Sequence, residues 1–211
     1  MDRGARLESL LAADGRWKPP PAKPAATMVL LRDGEVLLLR RVSTMQFAPS
    51  MHVFPGGRLE PADLAAPDPA RACARRETHE EVSIRVETCT LIDRWVTPEL
   101  EERRYDVFFY LAKTSDTGRL STTEADRMLW VPPAEALHRH SRGELPMLRP
   151  TVAVLEGLQA GHYDDPGEIW PKLPRLRADG SWEVVDSESG RVLATGIDGP
   201  TRAETDGGPL S

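Results

Sequence analysis

One stretch of the sequence, residues 54–84, limits the fold more than any other because it demands a tight turn followed closely by a helix. The turn is predicted at Gly56 and Gly57, since glycine accepts backbone conformations that other residues avoid. The helix is predicted to begin after Asp68, because aspartate is a preferred helix N-cap and Pro69 is tolerated in the first helical turn. An acidic loop therefore joins a glycine turn to a short helix.

This helix carries three carboxylates on one face. Glu77, Glu80 and Glu81 are three and four residues apart, so their side chains fall within one narrow arc. Two unit charges about 4 Å apart cost roughly 4 kcal/mol at an effective dielectric of 20, so solvent, a basic partner or a cation must offset the repulsion. A solvated charged face is the simpler interpretation. The glycine pair, the preceding arginine and the small residues Cys73 and Ala74 on the same arc favour a metal site instead, because Mg²⁺ chooses carboxylate oxygens.

The stretch resembles the signature of the Nudix hydrolases, which is a glycine, five residues, an acid, a spacer and then Arg-Glu-x-x-Glu-Glu-x-Gly. Gly57 and Asp63 match the first part, and residues 76–81 match the second. Ser83 stands where the family has its late glycine, which matters if the backbone has a positive φ there. The spacer is longer than in the compact signature, which costs little because loop-closure entropy grows slowly with length.

The resemblance implies a hydrolase that cleaves a diphosphate linked to another moiety by attack of water on phosphorus, with Mg²⁺ or Mn²⁺ as the cofactor. The implied metal ligands are oxygen donors: Glu77, Glu80, Glu81 and the main-chain carbonyl near Gly57. Arg76 is assigned to the catalytic set as an orienting residue that pairs with Asp63 or with Glu60. Both acids stay open for this role, because the family usually has glutamate where this chain has Asp63.

A base that activates water is also required. In much of the family, an acid six residues before a strand tryptophan supplies a metal ligand or a base. Counting back from Trp130 gives Glu124, with Asp126 as the alternative. Glu77 is a second candidate for the base, and the sequence does not choose between Glu77 and Glu124. An ordinary polar loop residue is an equally simple interpretation of Glu124.

Three arginines flank the glycine turn and are candidates for binding substrate phosphates: Arg40, Arg41 and Arg58. The planar guanidinium group offers paired hydrogen bonds to phosphate oxygens. A surface position without a substrate contact is the alternative for each of them. His52 precedes the turn, and a packed or solvated histidine is the simpler interpretation there.

Two segments beyond the signature are similar to the larger Nudix proteins grouped with the coenzyme A diphosphatases. They are residues 94–112, RWVTPELEERRYDVFFYLA, and residues 148–151, Leu-Arg-Pro-Thr. The resemblance implies coenzyme A or acyl-coenzyme A as the substrate, cut to phosphopantetheine and adenosine 3′,5′-bisphosphate. Nucleoside triphosphates or nucleotide sugars are alternative substrates. A Nudix-fold ligand sensor without turnover is the alternative outside the enzymes.

The bulk properties limit the partners. The net charge of −6 argues against a nucleic-acid groove and repels phosphorylated substrates at long range, so such a substrate needs a local metal and arginines. We expect a cytoplasmic protein, because the sequence shows no signal peptide and no apolar run of membrane length. The predicted partner is a small-molecule diphosphate substrate, with no nucleic acid and no membrane. The oligomeric state is open, and a homodimer is one alternative.

The pattern of strands and helices predicts an α/β (α+β) fold, specifically the Nudix-type α/β/α sandwich with a mixed sheet. Its 211 residues can bury one full core. The Nudix domain is assigned to residues 25–165. Residues 1–24 are predicted to form a helix and a proline-rich linker. Residues 166–211 are predicted to form an extension with one hairpin, 182–186 with 191–195, and a flexible tail.

Overall fold

The computed structural model describes residues 1–45, 48–177 and 181–197, and this part of the chain contains four α-helices and ten strands. The helices are α1 (Arg3–Ala12), α2 (Pro69–Val82), α3 (Pro133–Ser141) and α4 (Arg149–Gln159), with a short 3-10 helix at Asp63–Ala65. The strands are β1 (Lys23–Arg32), β2 (Glu35–Arg41), β3 (His52–Val53), β4 (Gly56–Arg58), β5 (Thr90–Val96), β6 (Tyr105–Lys113), β7 (Ala125–Val131), β8 (Pro171–Leu176), β9 (Trp182–Asp186) and β10 (Val192–Ile197). None of the described helices is long and apolar enough to span a bilayer.

The strands form one mixed sheet in the order β10-β9-β8-β5-β6-β1-β2-β3, with β4 paired to β1 and β7 paired to β2. The β1–β6 and β5–β8 pairs are parallel, and the others are antiparallel. The β1–β2 hairpin turns at Asp33 and Gly34, whose φ angles of 51° and 83° suit the turn that an Asp-Gly pair favours. Strand β1 changes partner along its length, because residues 25–27 pair with β4 and residues 31–32 pair with β2. The glycine turn is thereby fixed beside the start of β1.

Helices cover both faces of the sheet. The core on the α2 face contains Cys73, Ala74, Met28, Leu30 and Tyr110, among others. The core on the opposite face contains Val154, Leu155, Val29, Trp95 and Phe109, among others. Burial of these apolar side chains stabilises the fold at about 25 cal/mol for each Å² removed from water. The predicted α/β/α sandwich with a mixed sheet is confirmed.

Helix α2 begins and ends at residues with clear backbone roles. The Asp68 carboxylate accepts a hydrogen bond from the Arg71 amide at 3.0 Å, and Pro69 occupies the first turn, as the sequence predicts. The helix ends at Ser83, which has φ 59° and ψ 17°. This is the left-handed conformation that a glycine adopts without cost. The family's glycine is therefore replaced at a position with a positive φ, and the Ser83 hydroxyl lies 2.6 Å from that of Ser121.

Replacing Ser83 with glycine is expected to stabilise the fold when it is measured in a protein that lacks the contact between the Ser83 and Ser121 hydroxyls. In a Ser121→Ala background, Ser83→Gly should raise the free energy of unfolding by about 0.5–1 kcal/mol, because a left-handed side chain costs about 1–2 kcal/mol and glycine gives part of this back as chain entropy. Denaturant unfolding of the single and double variants measures the difference. An unchanged or lower stability would show that the serine is not strained.

The C-terminal strands extend the same sheet. The predicted hairpin is present as β9 and β10, but β8 was not predicted, because Pro171 and Pro174 argue against a strand. Strand β8 pairs with β5 through Arg94 and Trp95. The predicted domain boundary between residues 165 and 166 therefore separates segments that share one sheet, and the boundary between residues 24 and 25 falls inside β1. The predicted flexible tail lies outside the described residues from 198 onward.

The chain before β1, residues 1–22, is called here the N-terminal arm, and it packs on the turn formed by residues 97–104. The Arg6 guanidinium is buried and donates to the Leu100 carbonyl at 2.8 Å and to the Glu102 carboxylate. The indole of Trp17 lies under Arg6 and donates to the Glu99 carbonyl at 2.7 Å. The segment predicted as a linker thus starts with a specific contact to the 97–104 turn.

His52 in β3 gives the stability a defined pH dependence. The ring is buried, its Nδ1 atom lies 3.3 Å from the Pro146 carbonyl oxygen, and burial lowers the pKa of the imidazole. A pKa that is lower in the folded state means that the unfolded state binds more protons, so this contribution is present above about pH 6.5 and is lost as the pH falls. Wild type should therefore lose more stability than His52→Gln between pH 7.5 and pH 5.5 in denaturant unfolding. The exposed His79 supplies the control variant, His79→Gln, and parallel pH curves for wild type and His52→Gln would contradict the expectation.

Candidate active site

The glycine turn and helix α2 bring a carboxylate against the main chain. A Cβ atom placed on Gly57 would lie 2.2 Å from Oε1 of Glu77, so only glycine leaves room for this carboxylate. The Gly57 carbonyl oxygen faces the thiol of Cys73, with the sulphur 3.6 Å away. The small Cys73 side chain of α2 thus permits this close approach. The contact places two oxygen donors, from Gly57 and Glu77, in the same small region.

Glu81 is buried beside the same turn. Its Oε2 atom accepts a hydrogen bond from the Gly56 amide at 2.9 Å. Burial raises the pKa of Glu81 to about 7, while the Gly56 hydrogen bond and the positive charge of Arg41 oppose the rise. The negative charges of Glu77 and Glu124 raise it further. A buried carboxylate of this kind is compensated when a cation lies nearby.

Arg76 connects the acids around the turn. Its guanidinium forms two hydrogen bonds to Asp63, at 2.9 and 3.1 Å, and donates to Glu77 at 3.0 Å and to Glu80 at 3.1 Å. The hydrogen bonds from Arg76 hold the pKa of Asp63 below its usual range. Of the two candidate orienting acids, the structure pairs Asp63 with Arg76. Glu60 contributes its main-chain amide, which donates to Asp63 at 2.8 Å.

Glu77 lies within electrostatic range of Glu124. Burial is the main cause of the raised pKa of Glu77, and the charges of Glu80 and Glu124 add to it, while Arg76 opposes it. Glu124 lies immediately before β7, whose first residue, Ala125, pairs with Arg41. The Glu124 carbonyl accepts a hydrogen bond from Val42 at 2.9 Å, which fixes the main chain there. In the described part of the chain, the Glu124 carboxylate forms no hydrogen bond and no ion pair.

The three candidate phosphate-binding arginines are placed differently. Arg41 and Arg58 line the same cleft as Glu77. Arg40 does not line this cleft, and its guanidinium forms two hydrogen bonds to Asp126 at 2.7 and 2.8 Å. The geometry brings Arg41 and Arg58 to the site, leaves Arg40 outside it, and engages Asp126 elsewhere.

The donor set near the turn suits a hard divalent ion. Among the described residues, no group of three His, Cys, Asp or Glu side chains is arranged to hold a metal, and Arg76 contacts two of the predicted ligands. The available donors are oxygens: the carboxylates of Glu77, Glu80 and Glu81 and the carbonyl of Gly57. Oxygen donors are those that Mg²⁺ and Mn²⁺ prefer. The cradle at Gly57 and the raised pKa values of Glu77 and Glu81 fit a cation there.

A large open cleft runs from these acids across the sheet. Its floor is apolar: Phe54, Trp95 and Phe109 are almost fully buried there, and Val107 is half-buried. The rings of Phe54 and Phe109 meet edge to face with their centroids 6.4 Å apart. Residues 148–151 at the start of α4 line one wall, and the 97–104 turn lines the far end. Sequence reasoning missed the floor residues as parts of the site. Their aromatic and β-branched character indicated a strand, but only the packing shows which of them face the cleft.

Comparisons with known proteins agree with this geometry. A family model described as "NUDIX domain" matches residues 21–150. The acyl-coenzyme A diphosphatase NUDT19 of Gallus gallus is 46% identical over 54 residues, which are 26% of this chain and 12% of that protein. The chain therefore matches only a short part of that relative.

Two solved structures are similar over most of their length. The crystal structure of a NUDIX hydrolase from Alicyclobacillus acidocaldarius is 30% identical, with a TM-score of 0.61, and the match covers 68% of this chain and 93% of that one. The crystal structure of a MutT NUDIX hydrolase from Burkholderia pseudomallei is 20% identical, with a TM-score of 0.52, and the match covers 65% of this chain and 98% of that one. The second of these supports the fold alone.

Proposed function

Because the chain belongs to the Nudix family and is a hydrolase of diphosphate bonds, we propose that its substrate is coenzyme A or an acyl-coenzyme A. We propose further that a divalent ion held by the α2 carboxylates assists the reaction. The observation that carries the substrate assignment is the cleft, which joins the acids at Gly57 to a long apolar floor. An acyl-pantetheine arm is long and largely apolar, so it gains free energy by covering the half-buried apolar side chains of the cleft, such as Val107 on the floor and Leu148 on the wall. The short likeness to NUDT19 supports the same assignment.

The reaction is attack of water on one phosphorus of the diphosphate, with cleavage of the bond to the bridging oxygen. Phosphopantetheine, or its acyl form, and adenosine 3′,5′-bisphosphate leave as products. Nudix hydrolases generally use divalent metal ions, which offset the charge on phosphoryl oxygens and lower the pKa of bound water. Arg76 holds Glu77 and Asp63 in fixed positions. Gly56 holds Glu81 through its amide, and Arg41 and Arg58 face the cleft where the phosphates would lie.

Glu124 is the better placed of the two candidate bases. The carboxylate of Glu77 is already engaged by Arg76 and confined by Gly57. The Glu124 side chain is exposed, lines the cleft and has no partner among the described residues. It is therefore available to accept a proton from water. Glu77 is better placed to hold the metal.

A substrate panel tests the proposed function. Purified protein is incubated with coenzyme A, acetyl-coenzyme A, nucleoside triphosphates and nucleotide sugars, with Mg²⁺ or Mn²⁺, and the products are identified by mass. Metal-dependent release of phosphopantetheine and adenosine 3′,5′-bisphosphate is the expected result. Cleavage of the other substrates alone would overturn the substrate assignment. An absence of turnover across the panel, with metal bound, would favour a ligand sensor.

A further inference from the structure

The N-terminal arm neutralises the acids at the far end of the cleft. Arg3 of α1 pairs with Glu101 at 3.2 Å, and Arg6 pairs with Glu102. Both acids belong to the 97–104 turn, which lines the cleft together with Arg3. The arm therefore removes negative charge from a surface that would otherwise repel an anionic substrate.

At the same end, three basic residues have no carboxylate partner within the described part of the chain. Lys23, Arg103 and Arg104 line the cleft, and none of them forms an ion pair with any described residue. Lys23 and Arg104 are adjacent, because the Lys23 amide donates to the Arg104 carbonyl at 2.9 Å. The excess positive charge is local, since the whole chain has a net charge of −6. A cleft with such a local excess attracts anions.

Arg104 is held in place by main-chain carbonyls. Its guanidinium donates to Thr97 at 3.1 Å and to Pro20 of the arm at 2.9 Å, and the side chain is half-buried. Carbonyl acceptors orient a guanidinium without cancelling its charge. The charge of Glu99 acts on Arg104 only at longer range, outside ion-pair distance. The arm and the turn together position this cation beside Lys23.

This basic end is separate from the glycine turn. Gly57 pairs with Ala26 on β1, and Lys23 lies three residues before Ala26 on the same strand. At about 3.3 Å per residue along a strand and about 4.8 Å between strands, the Cα atoms of Gly57 and Lys23 are roughly 11 Å apart. The separation is of the size of a nucleoside. A group bound at the basic end would therefore be a different group from the diphosphate that is cleaved.

We infer that Lys23, Arg103 and Arg104 form a subsite for a phosphomonoester group of the substrate that is not hydrolysed. This inference rests on the proposed function, under which the group is the 3′-phosphate of coenzyme A. Lysine and arginine both bind phosphate, and hydrogen bonds to charged groups are the stronger class. The N-terminal arm contributes to substrate selection, because its arginines pair with Glu101 and Glu102 beside the subsite.

Kinetics with a matched pair of substrates test the subsite. Coenzyme A and dephospho-coenzyme A differ only in the 3′-phosphate, and wild type is expected to prefer coenzyme A by about tenfold in kcat/KM. In the double variant Lys23→Gln/Arg103→Gln this preference should fall toward one. Both side chains are exposed, so the variant is expected to fold. Arg85→Gln is the matched control, because Arg85 is exposed and does not line the cleft.

A binding measurement separates this inference from the proposed function. Calorimetry compares adenosine 3′,5′-bisphosphate with adenosine 5′-monophosphate, so it needs no turnover. If neither coenzyme A nor dephospho-coenzyme A is cleaved, the proposed function fails, and tighter binding of the bisphosphate to wild type but not to the double variant still supports the subsite. Equal binding of the two nucleotides by wild type would overturn it. A preference that survives in the double variant, or an equal loss in Arg85→Gln, would overturn it as well.

Discussion

Glu81→Gln is expected to lower kcat/KM for metal-dependent diphosphate hydrolysis by about 10²–10³-fold while the protein stays folded. Glutamine has nearly the same shape and can still accept the hydrogen bond from the Gly56 amide, which lies 2.9 Å from Glu81. It cannot supply the negative charge with which Glu81 is proposed to hold a divalent ion. Loss of one preorganised electrostatic contact in an active site typically costs 10²–10³-fold. Steady-state rates over a range of Mg²⁺ concentrations measure the effect.

A stability measurement without metal distinguishes the role of the charge from a structural role. Burial raises the pKa of Glu81 to about 7, so its ionisation destabilises the metal-free fold as the pH rises from about 4.5 through 7. In a chelator at pH 8, Glu81→Gln should therefore be at least as stable as wild type. The exposed Glu87 supplies the control Glu87→Gln. Unchanged metal-dependent hydrolysis in Glu81→Gln would remove Glu81 from the ligand set.

The two glycines of the turn are expected to respond to alanine in different ways. In Gly57→Ala the new Cβ would meet the Glu77 carboxylate at 2.2 Å, and this flexible group can move away. We expect activity to fall about 10²-fold with little change in stability, because a displacement of about 1 Å at a reacting site costs on that order. In Gly56→Ala the Cβ would meet the Ala26 carbonyl oxygen at 2.5 Å and the Thr27 Cα atom at 2.6 Å. These main-chain atoms cannot move without shifting β1, so we expect the free energy of unfolding to fall by about 3 kcal/mol.

Each of these variants serves as the control for the other. Denaturant unfolding and steady-state kinetics are measured on both, and the two effects should separate into activity for Gly57→Ala and stability for Gly56→Ala. A large loss of stability in Gly57→Ala, or full activity in it, would contradict the placement of Glu77 against the glycine main chain.

Local sequence signals predicted the parts of the fold that local chemistry determines. The Asp68 N-cap and the place of Pro69 in the first turn of α2 were both predicted, because capping and the proline ring act within a few residues. Strand β8 was missed, since its prolines disfavour a strand and its pairing partner β5 lies about 80 residues earlier.

The same distinction between local and long-range effects applies to the candidate site. The spacing of Glu77, Glu80 and Glu81 was sufficient to put them on one face of a helix. The hydrogen bond between Glu81 and Gly56 joins residues 25 apart, and the tertiary fold alone brings them together. The choice of Asp63 over Glu60 as the partner of Arg76, and the exclusion of Arg40 from the cleft, depend equally on packing. The types of side chain in the site could be predicted from the sequence, whereas the residues that each of them contacts required the structure.

The pairing of β8 with β5 covers main-chain groups of β5 that would otherwise lie at the edge of the sheet. Residue 165 is the C-terminal end of the domain assigned from the sequence. If the chain stopped there, β5 would present unpaired N–H and C=O groups at Arg94 and Trp95. Such an open strand is a template for pairing with another molecule. A truncated protein of this kind is therefore expected to aggregate, even though all the acids around Gly57 are retained. The C-terminal strands are therefore expected to keep the enzyme soluble, although they lie away from the acids around Gly57.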